Sequence, residues 1–207
     1  KSAERYVSVS ATGSVPADPD MASISTGVIV EADTAKDALA RNSTVMAKLI
    51  EGLKALGIAP KDIQTTAVNV EPRYVQAKDG RPATISGYRV VNQVRLTVRE
   101  VKRLGEILDS AITLGANQVN GISFDVANAE TLKDEARKQA MVNAKRRAEL
   151  YATAAGAQLG SVLTISEDVS SGPRPMPLAR TAMAGNVPIE AGTRTLTVEV
   201  HVTYALR

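Results

Sequence analysis

One junction occurs three times in this chain and constrains its fold more than any other feature. In Leu53–Val70 (LKALGIAPKDIQTTAVNV), Ala111–Val126 (AITLGANQVNGISFDV) and Ala152–Ile165 (ATAAGAQLGSVLTI) a helix-forming run ends at Gly. An Ile or Ala follows, and a strand begins a few residues later. Gly takes the left-handed conformation that closes a helix at low cost, because it has no Cβ. In the first copy Pro60 then forbids further helix, and Thr65, Thr66, Val68 and Val70 are β-formers. Helices that end this way lie across a sheet. The expected class is α+β: three helices packed on one mixed, mainly antiparallel sheet of about seven strands, with one long projecting hairpin.

Along the chain, Val7, Val9 and Ala11 alternate with Ser8, Ser10 and Thr12, as in a half-buried strand. Ala17-Asp18-Pro19-Asp20 reads as a turn, and Ile24, Thr26, Val28 and Val30 as a second strand, so the pair reads as an antiparallel hairpin. Thr34 is placed to cap the first helix, whose inward stripe reads Leu39, Asn42, Met46, Leu49, Leu53 and Leu56. A second helix over Val101–Leu114 carries Val101, Leu104, Leu108 and Ala111, followed by a strand at Gln118–Ala127. Asn128 suits the N-cap of a third helix, in which Ala136, Ala140, Ala144, Ala148 and Ala152 recur every four residues. That seam of small side chains permits close approach to a sheet or another helix. Strands at Leu159–Asp168 and Thr193–Tyr204 complete the set. The whole of 1–207 reads as one domain, which the long hairpin can divide into two lobes; 170–190 is a Pro-rich surface loop.

The hairpin, 62–99, is the unusual element. About fourteen residues per strand at roughly 3.4 Å each give about 45–50 Å. A chain of this length folds to a diameter of roughly 40–45 Å. The tip therefore projects, and a ribbon with open edges invites pairing with another chain. Val90, Val94, Leu96 and Val98 face inward, opposite a polar row of Arg89, Gln93, Arg95 and Arg99. The residues expected at a self-association interface are Tyr74, Arg81, Tyr88, Arg89, Arg95 and Arg99.

Signals for chemistry are sparse. The chain has no Cys, so disulfides and thiolate metal sites are out. His201 is the only histidine and reads as a surface residue on the polar side of the last strand. Gly121-Ile122-Ser123-Phe124-Asp125 has Asp where a nucleophile elbow needs its second Gly, and it lies inside a strand. Asp18, Asp20, Glu167 and Asp168 lack calcium-loop spacing. The third helix carries Lys133, Arg137, Lys138, Lys145, Arg146 and Arg147, but interleaved acids, with Asp134 four before Lys138, point to a solvated face. Net charge is +3 and aromatics are 3%, which does not fit nucleic-acid binding by stacking. No apolar run is long enough for a transmembrane helix. No catalytic, cofactor or metal set emerges, and a non-enzymatic protein is expected.

The runs Ala55–Thr65, Glu71-Pro72-Arg73-Tyr74 and Ile85-Ser86-Gly87-Tyr88 resemble the SIMPL-domain family. So do Leu114–Asn117, Gly121–Phe124, Glu135-Ala136-Arg137 with Ala148, and Pro188-Ile189. The PRPMPLAR segment is similar to the bacterial periplasmic immunogenic (outer-membrane antigen) branch of that family. The resemblance runs from about Val7 to Tyr204. It implies a secreted bacterial protein made with a signal peptide, in the periplasm or associated with the outer membrane. The start at Lys1 fits signal-peptide removal or trimming. The resemblance further implies a closed, ring- or channel-like homo-oligomer, a link to oxidative-stress defence or envelope integrity, and outer-membrane or envelope proteins as partners. The family's namesake, an animal signalling adaptor, suggests the alternative of a module that docks a protein through the Pro-rich loop or the basic helix face. The family has no established catalytic residues to carry over.

Overall fold

The computed structural model describes residues 4–168 and 187–207. In chain order it contains β1 (Tyr6–Ala17), β2 (Met21–Ala32), α1 (Ala35–Ala55), β3 (Ile63–Val75), β4 (Thr84–Val98), α2 (Leu104–Thr113), β5 (Gln118–Asp125), α3 (Ala129–Ala154), β6 (Leu159–Asp168) and β7 (Arg194–Leu206). The fold is α+β, but the strands form two sheets instead of one: β1-β7-β6 and β3-β4-β2-β5. Every pairing in them is antiparallel, so the expected mixed character is absent among the described residues. The chain divides into two compact units, one around each sheet.

The four-stranded unit shows how the repeated junctions work. Thr34 Oγ1 accepts from the Asp37 amide at 3.1 Å and starts α1. At its end the Gly57 amide donates to Lys54 O and the Ile58 amide to Leu53 O. The same pair of bonds closes α2 at Gly115–Ala116 and α3 at Gly156–Ala157. The three glycines have φ of 94°, 118° and 69°, the left-handed values that this closure requires. Met46, Leu49 and Leu53 of α1 and Leu104, Ile107 and Ala111 of α2 bury against Ile24, Val28, Val94 and Leu96. Ala38, not Leu39, begins the buried stripe of α1, and Ile107, not Leu108, fills the middle of α2. Ile189, near the end of the 170–190 segment expected as a surface loop, packs on the same core.

The expected β1–β2 hairpin does not form. β1 pairs with β7 along its whole length, while β2 lies between β4 and β5. A tight hairpin needs one or two residues at positive φ. None of Asp18, Pro19 and Asp20 takes a positive φ, which Pro19 cannot adopt. The segment thus carries the chain from one sheet into the other.

In the three-stranded unit α3 lies over β1 and β7 on its alanine seam, each of whose five members is 0–1% exposed. The seam meets Gly13: a Cβ there would stand 1.9 Å from Ala136 O and 2.6 Å from Ala140 N. Helix and strand backbones are in near-contact. On the side of β1 that has no neighbouring strand, α3 side chains bind the strand backbone. Gln139 Oε1 accepts from the Ser14 amide at 3.3 Å, Asn143 Nδ2 donates to Thr12 O at 2.9 Å, and Arg147 donates to Ser10 O. Asn128 precedes α3 without making the expected side-chain cap.

Candidate interaction surface

The hairpin is anchored at its base. Arg99 Nε and Nη2 each donate at 2.9 Å to the two carboxylate oxygens of Asp62, which is only 8% exposed. This fork ties the entry of β3 to the exit of β4. The Arg99 hydrogen bonds hold the Asp62 carboxyl below its ordinary pKa, against the opposing effect of burial. A depressed folded pKa contributes stability above the unfolded value and loses it as pH falls through the folded one. In urea melts, Asp62→Asn should unfold earlier than the parent at pH 7. The gap should close below about pH 4, the unfolded carboxylate value. A gap that is constant with pH would assign the pair no such role.

Toward the tip the sheet thins to two strands. β2 ends opposite Tyr88, and the remaining four residues of β4, Thr84–Gly87, pair only with β3. Four residues correspond to a ribbon of about 14 Å. Tyr74 sits opposite Ile85 on this ribbon and is 63% exposed. Arg81 is at the turn, 3.4 Å from Asp79. Tyr88 is half-buried. Arg89 lies in register between Glu31 and Glu71, while Arg73 bonds Glu31 at 2.8 Å. Arg95 is exposed farther along β4. Arg99 stays about half exposed, but its charge is committed to Asp62. The polar reading passed over an apolar row: Val68, Val70, Val75 and Ile85 are also exposed on the same two strands. β-Propensity marked them as strand residues but not as uncovered ones. That depends on α1 lying over β2 and β4, with little of it reaching β3.

His201 has partners that sequence separation concealed. Its Nδ1 is 2.6 Å from Ser10 Oγ on β1, and its Nε2 is 2.9 Å from Asp168 Oδ2 on β6. The trio has the residue types of a hydrolytic triad, but it lies on an open sheet face. Backbone N–H groups there point within the sheet plane, so none converges above Ser10 to stabilise an oxyanion. The flanking pairs Ser8–Thr203 and Ser14–Thr197, at 2.8 and 3.0 Å, show that Ser10–His201 belongs to a ladder of cross-strand polar pairs. Ser123 lies within β5 and does not form an elbow.

Three of the six basic residues of α3 are closely paired with acids of the helix or of β6. Lys133 pairs with Glu130 at 2.9 Å, Lys138 with Glu135 at 2.8 Å, and Arg137 with Asp134 and Glu167, each at 2.7 Å. The expected Asp134–Lys138 pair is replaced by these contacts one residue closer in sequence. Residues 170–186 of the Pro-rich loop, with Pro173, Pro175 and Pro177, lie outside the described residues. Among those described, no helix is long and apolar enough to cross a membrane.

Comparison with known proteins agrees with the sequence motifs. The SIMPL family model, described as a protein of unknown function (DUF541), matches residues 7–204. The 26 kDa periplasmic immunogenic protein of Brucella melitensis is 37% identical over 97% of this chain and 84% of its own length. Its counterpart in Brucella abortus is 36% identical over the same shares. The uncharacterized protein YggE of Escherichia coli is 33% identical over 90% of this chain and 74% of its own. With the family model covering nearly all of the chain and these relatives extending along it, the chain belongs to the SIMPL family.

Proposed function

We propose that this chain acts in the periplasm as a non-enzymatic protein that assembles with copies of itself through the β3–β4 ribbon and contributes to envelope integrity or oxidative-stress tolerance. The periplasmic location follows from the named relatives. The observation that supports assembly is the edge position of β3, which carries exposed Val68, Val70, Tyr74 and Val75. Backbone N–H and C=O groups on such an edge gain partners when a second chain pairs with it, and the apolar side chains leave water in the same step. Tyr74, Arg81, Tyr88, Arg89 and Arg95 set which surface fits, through charge more than through raw affinity. A closed oligomer of this kind buries more than about 1,000 Å² at each interface. The alternative, docking through the basic face of α3, has less support, because three of its six cations, Lys133, Arg137 and Lys138, are already closely paired.

The test is solution mass by light scattering. The protein should form a discrete multimer at tens of micromolar. Replacing Gln76–Thr84 with Asn-Gly should keep the far-UV spectrum and reduce the mass. Cells that depend on the shortened variant should survive peroxide less well than cells with the parent. A monomeric parent at that concentration would refute the assembly.

A further inference from the structure

We propose that the free edge of β6 is a separate docking site, which takes an extended peptide segment of another protein as a fourth strand. The two edges of the three-stranded sheet are treated differently. Along β1 the free backbone groups of Ser10, Thr12 and Ser14 are occupied by Arg147, Asn143 and Gln139 of α3. Along β6 no side chain of the described residues does this. The strand carries neither Lys nor Pro between Leu159 and Asp168; its register with β7 shifts on either side of Val162, and its only charges are Glu167 and Asp168 at the far end. Its apolar side chains are uncovered: Val162 is 44%, Leu163 48% and Ile165 58% exposed.

The position of α3 explains why. The helix is seated over β1 and β7, so an open cleft of about 650 Å³ remains between it and β6. Met141, Val142, Leu159, Val162 and Tyr204 supply its apolar wall. A strand beside β6 would point every second side chain toward this cleft, and its backbone would take up the unpaired edge groups. Charge selects the segment further. Lys145 overlooks the Leu159–Val162 end, with only a 3.9 Å contact to Glu149. Asp168, largely exposed and with one carboxylate oxygen 2.9 Å from His201 Nε2, lies at the other end. The complementary segment alternates Val or Ile with Thr or Ser and carries an acid at one end and a base at the other.

The probe is a fluorescein-labelled peptide, Glu-Val-Thr-Val-Thr-Ile-Thr-Val-Lys, followed by anisotropy with the full chain. Saturable binding is expected, weakened at least tenfold by Ile165→Lys or Val162→Lys with the far-UV spectrum and Tm retained. The same peptide N-methylated at alternate amides, on the face that would pair with β6, should not bind. The Asn-Gly ribbon variant should bind it as the parent does, which separates this site from the β3–β4 surface. Equal binding by the N-methylated peptide, or by either Lys variant, would overturn the proposal. So would no binding by the peptide together with self-association that Ile165→Lys abolishes, which would give the edge to a second copy.

Discussion

Gly13→Ala should destabilise the protein by about 3 kcal/mol or more, at or beyond the upper end of ordinary overpacking. The added methyl would stand 1.9 Å from Ala136 O and 2.6 Å from Ala140 N, and both are backbone atoms of α3 that no rotamer change can move aside. Relief requires the helix to rise from the sheet by an ångström or more. That opens the seam at Ala140, Ala144 and Ala148, which are fully buried. It also stretches the bonds from Gln139, Asn143 and Arg147 to the free side of β1. Loss on this scale is a large part of the 5–15 kcal/mol typical of a folded domain. Urea melts followed by far-UV circular dichroism measure it directly. Thr12→Ala, on the exposed face of the same strand, serves as the control and should change stability by no more than about 0.5 kcal/mol. If Gly13→Ala melts with the control, helix and strand are not in contact at this point.

Asn42→Asp should cost about 3 kcal/mol or more at neutral pH, and the cost should depend on pH. Asn42 is fully buried on α1, and its Nδ2 donates to Val28 O at 2.8 Å and to Val90 O at 3.3 Å. One amide thus joins the helix to both central strands of the four-stranded sheet. Aspartate is nearly isosteric but turns a donor into a charged acceptor facing two carbonyl oxygens. Burial and those dipoles both disfavour the ionised form, so the folded pKa of the new acid rises. The sign then follows from linkage. Relative to the parent, the penalty is smallest below about pH 4, where the acid is neutral in both states. It grows as pH rises through the interval between the unfolded and the raised folded pKa, and levels off above it. Asn42→Leu provides the comparison, since it removes the donors without adding a charge; its deficit should be smaller and flat with pH. A pH-independent loss in Asn42→Asp would mean that the site admits water.

These two positions mark the limits of reading this chain from its residues. Asn42 stood on the inward stripe of α1 by spacing, but spacing could not show that its amide reaches two strand carbonyls, because Val90 lies 48 positions away. The alanine seam announced a close approach without naming its partner. Gly13 was one residue in an alternating strand, and only the pairing of β1 with β7 brings it beneath Ala136. The candidate surface was reached by reasoning of a similar depth. Hairpin length and an outward polar row led to Tyr74, Arg81, Tyr88, Arg89, Arg95 and Arg99. The commitment of Arg99 to Asp62, and the uncovered Val68 and Val70, required knowing where α1 sits.

What the sequence determined by itself is local and covalent in origin. Three glycines at helix ends, Thr34 at a helix start and runs of β-branched residues specify helix and strand over spans of a few residues, through backbone sterics and short-range hydrogen bonds. Tertiary structure decided which strands pair. An alternating strand buries one face equally well in either sheet, so periodicity alone could not assign β1 and β2 to different ones. In the folded chain no residue of Asp18-Pro19-Asp20 takes a positive φ, and Gly13 fits against the alanine seam. The same packing left β3 and β6 as edges with uncovered apolar side chains, because a helix seated on two strands of a sheet does not cover the strands beyond them.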